Sequence, residues 1–292
     1  MIKECKLYKK EKNKKLRCVA CAHKCLISDG KTGICAVRKN INGKLMLLVY
    51  GKVAAMNIDP IEKKPLYHFY PGSYAFSVGT VGCNFKCDFC QNFDISQASK
   101  EKDKENKIIG DEMTPEKIVI AAIKMNCKSI AYTYNEPAIF SEFVKDCAVL
   151  AHQNGLKNVL VTNGYFTKES FDYLKKYIDA VNIDLKSFKD SFYKKLCGAK
   201  LSPVLDNIKW FHKQGIHIEI TTLIIPGLND TKTEFTNIAK FISGIDKNIP
   251  WHISRFFPMY KMTGKEITSR ETLETAYNIG KKYLNDVHIG NV

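Results

Sequence analysis

From residue 75 onward, short apolar runs alternate with amphipathic segments, and this alternation limits the possible fold more than any other feature of the chain. Residues 75–78, 129–134, 158–162, 180–185, 216–225, 252–257 and 287–290 each predict a strand. Helices are predicted between them. Thr114 suits an N-cap, with Pro115 in the first turn. Ile139, Phe143, Cys147 and Leu150 recur at helical spacing, residues 167–177 predict a further helix, and helical turns cover 188–214. Thr231-x-x-Glu234 and Thr268-x-x-Glu271 read as capping boxes that open two more. Repeated strand–helix units require a parallel sheet with crossover helices, an α/β fold. Function in such sheets gathers at the carboxyl ends of the strands. Those ends carry Gly79-Thr80, Tyr134-Asn135-Glu136, Thr162-Asn163-Gly164, Asp184-x-Lys186, Pro226-Gly227 and the surroundings of Arg255.

The first quarter of the chain reads differently. Residues 1–17 are mostly Lys, Glu and Asn and predict a mobile or surface segment. Residues 18–35 are cysteine-rich, 44–58 are extended with a break at Gly51, and prolines from Pro60 to Pro71 mark a connector. The expected division is a cysteine-rich extension over 1–72 and an α/β domain over 73–292. A charged loop is expected over 97–112. At 45% hydrophobic and 26% charged residues the composition is globular. No apolar run is long enough to span a bilayer, and the N-terminus lacks the apolar stretch of a signal peptide. A soluble, cytoplasmic protein without a membrane partner is expected. Eleven cysteines without a secretory signal argue against a disulfide scaffold. Cys127 and Cys147 lie in apolar contexts and are expected in the core, whereas Cys197, beside Gly198, is a candidate to approach the strand-end rim.

The decisive spacing is Cys83-x-x-x-Cys87-x-x-Cys90. Thiolates suit iron–sulfur clusters and zinc. A closed site wants four protein ligands, so three close cysteines leave one metal position open, as a catalytic site needs. The alternative is a structural zinc knuckle, which with a net charge of +15 would make a nucleic-acid-binding protein. That reading needs a localised basic stripe with exposed aromatics. The lysines instead spread along the whole chain and cluster only at residues 6–17, so a nucleic-acid partner is not expected.

The spacing, directly after a strand, resembles the signature of the radical S-adenosylmethionine (SAM) superfamily. The resemblance implies a partial (β/α)6-type barrel. It implies that Cys83, Cys87 and Cys90 bind three irons of a four-iron–four-sulfur (4Fe–4S) cluster, while SAM chelates the fourth. Reductive cleavage then gives methionine and a 5′-deoxyadenosyl radical that abstracts hydrogen from a substrate. Phe89 is the aromatic residue usual before the last cysteine. Asn135 and Glu136 stand where the superfamily often has Gly-Gly-Glu, which contacts the SAM amino group; Glu136 equally suits a helix N-terminus. Thr162, Asn163, Asp184 and Lys186 lie in stretches similar to those of pyruvate formate-lyase activating enzymes, where the Asp and Lys lie beside SAM. A rim salt bridge between Asp184 and Lys186 is an equal reading. His252 and Arg255 would reach the adenosine or substrate side, and Arg255 suits either a carboxylate or a core-edge ion pair. Pro226-Gly227 would turn near the cofactor after a core run of Leu223, Ile224 and Ile225.

A closer resemblance rests on Cys18-x-x-Cys21-x-His23-x-Cys25, on Gly30-Lys-Thr-Gly33-x-Cys35 and on the run from Asp59 to Phe69 (Asp-Pro-Ile-Glu-Lys-Lys-Pro-Leu-Tyr-His-Phe). From about residue 16 onward the chain resembles the radical SAM member of the AmmeMemoRadiSam system, which implies Memo-type and Ammecr-type proteins as partners. Cys18, Cys21, Cys25 and Cys35 would hold zinc or an auxiliary iron–sulfur cluster, with zinc favoured by the short spacings. His23 is expected on the surface rather than as a ligand. Members of that group continue past the Gly290-Asn291 stretch with another Cys-x-x-Cys segment, which this sequence does not contain. The resemblance implies an activating-enzyme-like oxidoreductase, with a glycyl radical enzyme activase as the alternative. The basic surface would receive an acidic flavodoxin or ferredoxin as electron donor.

Overall fold

The computed structural model describes residues 1–100 and 108–292. Residues 1–53 are more ordered than their charge predicts. They form β1 (Lys3–Glu4), β2 (Tyr8–Lys10), β3 (Leu16–Cys18), β4 (Leu26–Ile27), β5 (Arg38–Ile41), β6 (Lys44–Leu47) and β7 (Lys52–Val53). Two antiparallel sheets result, in the orders β1-β6-β5 and β2-β3-β4. The reason is a period-two pattern hidden among the lysines: Cys5 and Leu7 are buried about exposed Lys6, and Leu16 and Cys18 are buried about half-buried Arg17. Their apolar side chains belong to the same core as the main sheet.

The main sheet contains β8 (Ala55–Pro60), β9 (Tyr74–Gly79), β11 (Ser129–Tyr132), β12 (Lys157–Thr162), β13 (Ala180–Asp184), β14 (His217–Ile224), β15 (Trp251–Arg255) and β16 (Val287–Gly290), while β10 (Asp111–Glu112) pairs with β7. β8 runs antiparallel to β9, and every other neighbouring pair is parallel. The parallel strands follow one another in chain order. Crossovers that all progress in one direction with one hand put their helices on one face and curl the sheet. Those helices are α1 (Phe93–Ser96), α2 (Pro115–Lys124), α3 (Ser141–Gln153), α4 (Lys168–Leu174), α5 (Asp190–Phe192), α6 (Ser202–Lys213), α7 (Lys232–Ser243) and α8 (Arg270–Gly280). Among the described residues no ladder joins β8 to β16, so the mixed sheet and its helices form a partial, barrel-like (β/α) fold with an open seam.

Alternation along the strands sorts the two faces. On β14, Ile218, Ile220, Thr222 and Ile224 are buried, and Trp251 of β15 donates to the Thr222 hydroxyl while packing on Gly280 of α8. The intervening residues Glu219 and Thr221 face the concave side with His252. Two helix starts differ from expectation. Thr231 caps α7, but the Glu234 carboxylate accepts from Ser187 and Phe188 N instead of completing the box. α8 is capped by Ser269, whose side chain accepts from Thr272 N at 3.1 Å. Thr268 is buried and donates to Ile224 O at 2.6 Å, tying the helix start to the end of β14. The helical stretch over 188–214 breaks at Gly198, which is left-handed at φ 67°.

Candidate active site at the carboxyl ends of the strands

The segment after β9 becomes a loop at Thr80 and carries Cys83, Cys87 and Cys90 into α1. Asn135, at the end of β11, grips this loop. Its Oδ1 accepts from Thr80 N at 3.3 Å, and its Nδ2 donates to Thr80 Oγ1 and Gly82 O, both at 2.9 Å. Phe85 N donates to Cys83 Sγ at 3.4 Å, and Cys90 Sγ lies 3.1 Å from Ser96 Oγ on α1. The turn around Cys197 lies against the same loop: Lys86 N donates to Cys197 O at 3.0 Å and Asp88 N to Leu196 O at 3.0 Å. The thiol of Cys197, with burial, pushes that of Cys87 up, and burial above all does the same to Cys83 and Cys90. Thiols held neutral this way release their protons when a metal ion supplies the missing positive charge.

The three thiols reach one cavity of about 550 Å³ on the concave side of the strand ends. That is within the range of small-molecule and cofactor sites. Its wall also includes Phe89, Asn135, Asn163, Asp184, Lys186 and His252, all anticipated from the sequence. Asp184 and Lys186 pair at 2.9 Å, and the Lys186 ammonium sits 5.7 Å above the Phe89 ring. Burial works against the charged amine, but the Asp184 carboxylate outweighs it and holds Lys186 well above its usual range.

The structure places three anticipated residues off that wall. Glu136 is fully buried; it accepts from Ala138 N, Asn163 N and the Thr162 hydroxyl at 2.8–3.0 Å, so its donors come from the protein. Burial pushes its carboxyl up to about 7 despite them. Thr162 is spent on the same contact. Arg255 donates to Thr268 O at 2.9 Å and lies over the Phe257 ring.

Tyr134, read from the sequence only as a strand-end residue, is also on the wall, as are Tyr67, Thr221 and Ser254, which sequence reasoning did not single out. Tyr134 takes a left-handed conformation, φ 70°, which glycine adopts without strain. Asn92 holds its carbonyl at 2.8 Å, and Asp59 accepts from its hydroxyl at 3.1 Å. Tyr67 belongs to the motif from Asp59 to Phe69, which forms a strap across the concave face. Its anchor is Glu219 on β14, which accepts from Tyr67 N at 3.0 Å, His68 N at 2.8 Å, His217 at 2.9 Å and His252 at 2.6 Å. Burial raises the Glu219 carboxyl, but the hydrogen bonds from His217 and His252 win and hold it at about 2. Asn182 donates to Pro65 O at 2.8 Å and accepts from Thr221 at 2.9 Å. The signal was present as polar residues at alternate positions of β13–β15.

Cys18, Cys21, Cys25 and Cys35 line a second void, of about 10 Å³, with His23, Arg38 and Asn84. His23 is not a free surface residue: its ring packs on Tyr165 and its Nε2 lies 2.9 Å from Asn84 O, beside Cys83. The two cysteine regions therefore share a wall.

Residues 77–242, more than half of the chain, match the Radical SAM superfamily. The chain belongs to the radical SAM superfamily. An uncharacterized protein of Methanocaldococcus jannaschii is 45% identical over 293 residues, covering 100% of this chain and 86% of that one. The pyruvate formate-lyase-activating enzyme of Clostridium pasteurianum is 25% identical, covering 70% of this chain and 88% of its own. A radical SAM methyltransferase from Sphaerobacter thermophilus shares the fold with a TM-score of 0.57 at 15% identity, over 76% of this chain and 67% of that one. Streptococcus suis SuiB bound to S-adenosylmethionine shares it at 0.54 and 15% identity, over 72% of this chain and 48% of its own. As a radical SAM protein the chain is related to activating-type enzymes of that superfamily. No helix among the described residues is long and apolar enough to cross a membrane.

Proposed function

We propose that this radical SAM protein holds a 4Fe–4S cluster on Cys83, Cys87 and Cys90 and binds SAM in the adjoining cavity. The observation that carries the reading is three thiols on the wall of one cavity, with the neighbouring Cys197 thiol behind Cys87 and off that wall, which leaves a coordination position facing the cavity. When bound and reduced, the cluster supplies the electron that splits SAM and starts hydrogen abstraction from the substrate. The chain's own residues do the rest. Asn135 fixes the cluster loop to β11, and Phe89 covers the thiols. Asp184 and Lys186 offer opposite charges to the amino and carboxylate ends of a SAM molecule. Asn163, Thr221, His252 and Ser254 offer hydrogen bonds to its sugar and base or to the substrate. Glu136 and Thr162 support the wall from behind by fixing the Asn163 backbone.

Residues 1–72 act as a metal-binding extension. The void between Cys18, Cys21, Cys25 and Cys35 has room for about one water-sized atom, which favours a single zinc ion over an auxiliary cluster. Metal analysis decides between zinc and iron there.

The substrate side admits two readings. The motifs of the extension and the strap support the radical SAM role in an AmmeMemoRadiSam system, with Memo-type and Ammecr-type partners. The similarity to a pyruvate formate-lyase-activating enzyme supports a glycyl radical enzyme as substrate. In either case the net charge of +15 favours an acidic flavodoxin or ferredoxin as electron donor. The test is anaerobic reconstitution with iron and sulfide, reduction, addition of SAM and assay of 5′-deoxyadenosine. Product from the wild type and none from Cys87→Ala supports the reading. A protein that takes up zinc but no cluster at these cysteines overturns it.

A further inference from the structure

Three potential metal ligands, none of them a cysteine, converge at the open seam of the sheet. His68 comes from the strap after β8, Asp286 from the turn before β16, and His288 from β16 itself. One ligand atom from each lies within 4.8 Å of the other two, and among the described residues no other group of three does this. The Nε2 atoms of His68 and His288 face each other at 3.0 Å. Two imidazole nitrogens so placed share either one proton or one cation. His68 is exposed while Asp286 and His288 are half-buried, so water can complete a coordination sphere.

We propose that His68, Asp286 and His288 bind a hydrated divalent first-row transition metal ion. Two nitrogens 3.0 Å apart, each at about 2.1 Å from an ion, subtend about 90° there. That is the cis angle of an octahedron rather than of a tetrahedron. Two imidazoles, one carboxylate and open positions on one face suit Ni²⁺, Co²⁺ or Fe²⁺ better than a closed zinc site. The ion would act as a clasp. It joins the strap, which leaves one edge strand, to the strand at the opposite edge, across a seam that no backbone ladder closes among the described residues. His288 stacks on His252 with ring centroids 5.1 Å apart, and Tyr67 packs on both rings at 4.7 and 4.8 Å. The clasp would thereby steady two residues of the cavity wall without touching the cavity.

The experiment is calorimetric titration with Ni²⁺ of protein whose cysteines have first been filled by reconstitution with iron and sulfide. The wild type should bind one more equivalent than His68→Ala or Asp286→Asn, or bind it roughly tenfold or more tightly. Its melting midpoint should rise with Ni²⁺ while those of the variants stay fixed. His68 is exposed, so its replacement should leave the fold intact; equal melting of His68→Ala and wild type without Ni²⁺ checks this. Identical titrations for the wild type and both variants would overturn the site and leave a plain imidazole–imidazole hydrogen bond.

Discussion

Glu219 is the residue on which the concave face depends. A carboxylate out of water is stable only if its oxygens are met by donors, and here two backbone amides and two imidazoles meet them. Its folded value of about 2 lies below the 4.5 of a free glutamate. A carboxyl depressed by folding stabilises fully above its unfolded value, and that stabilisation is lost as the pH falls from about 4.5 towards 2. The contribution at neutral pH is on the order of 3 kcal/mol. Glu219→Gln should lower stability by about that amount at pH 7 and by little at pH 2–3, so the two urea-melt curves should converge on acidification. A constant difference across that range would contradict the assignment. The sequence marks Glu219 only as one of the polar residues alternating along β14 and not as an anchor, because all its partners but His217 lie far away along the chain. The cysteines and the Asp184–Lys186 pair were legible because their chemistry is carried by short spacings.

Gly82 shows what one element requires of another. It sits before Cys83 with φ 88°, and a Cβ built there would stand 2.6 Å from Cys35 O and 2.6 Å from Val37 Cγ1. The Cys83–Cys90 loop and the N-terminal cysteine loop therefore touch backbone to backbone. Gly82→Ala would meet both a left-handed penalty and a steric one, and should cost at least about 2 kcal/mol. It should also lower the iron retained per chain after reconstitution, measured together with a urea melt; full iron loading with unchanged stability would refute this close approach. The strands and most helices could be read from periodicity, since each buries one face. Exact caps could not. Thr268 and Glu234 have the residue types of a capping box, but buried tertiary acceptors and donors claim them first.

Across the whole molecule, Arg38 and Glu142 join the extension to the helical layer. Both are buried. Arg38 donates to Ile139 O at 2.8 Å and forms a two-pronged pair with Glu142, which also accepts from Lys6 N and Leu7 N. Burial works against both charges, but the partner wins: Glu142 is held below its usual range and Arg38 above it. Removing one partner strands the other charge, so Arg38→Met should destabilise by about 3–5 kcal/mol, and the double change Arg38→Met, Glu142→Leu should recover part of it. Chemical denaturation of the three variants checks this, with limited proteolysis of the N-terminal segment as a second reading. The expected boundary at residue 72 reflects a change in composition. The packing crosses it, since β8 is hydrogen-bonded into the main sheet and the ladders of residues 1–53 share its core.

Strand order also bears on how the chain is made. From β12 onward each strand docks on the one synthesised just before it, so a chain leaving the ribosome can lengthen its sheet strand by strand with mostly short-range closures. The strap is the exception. Its amides at Tyr67 and His68 are translated early, yet their acceptor is Glu219, about 150 residues later. Tyr134 at Asp59 and Asn182 at Pro65 O can take hold of it first, but the strap is fully fastened only when β14 arrives with Glu219.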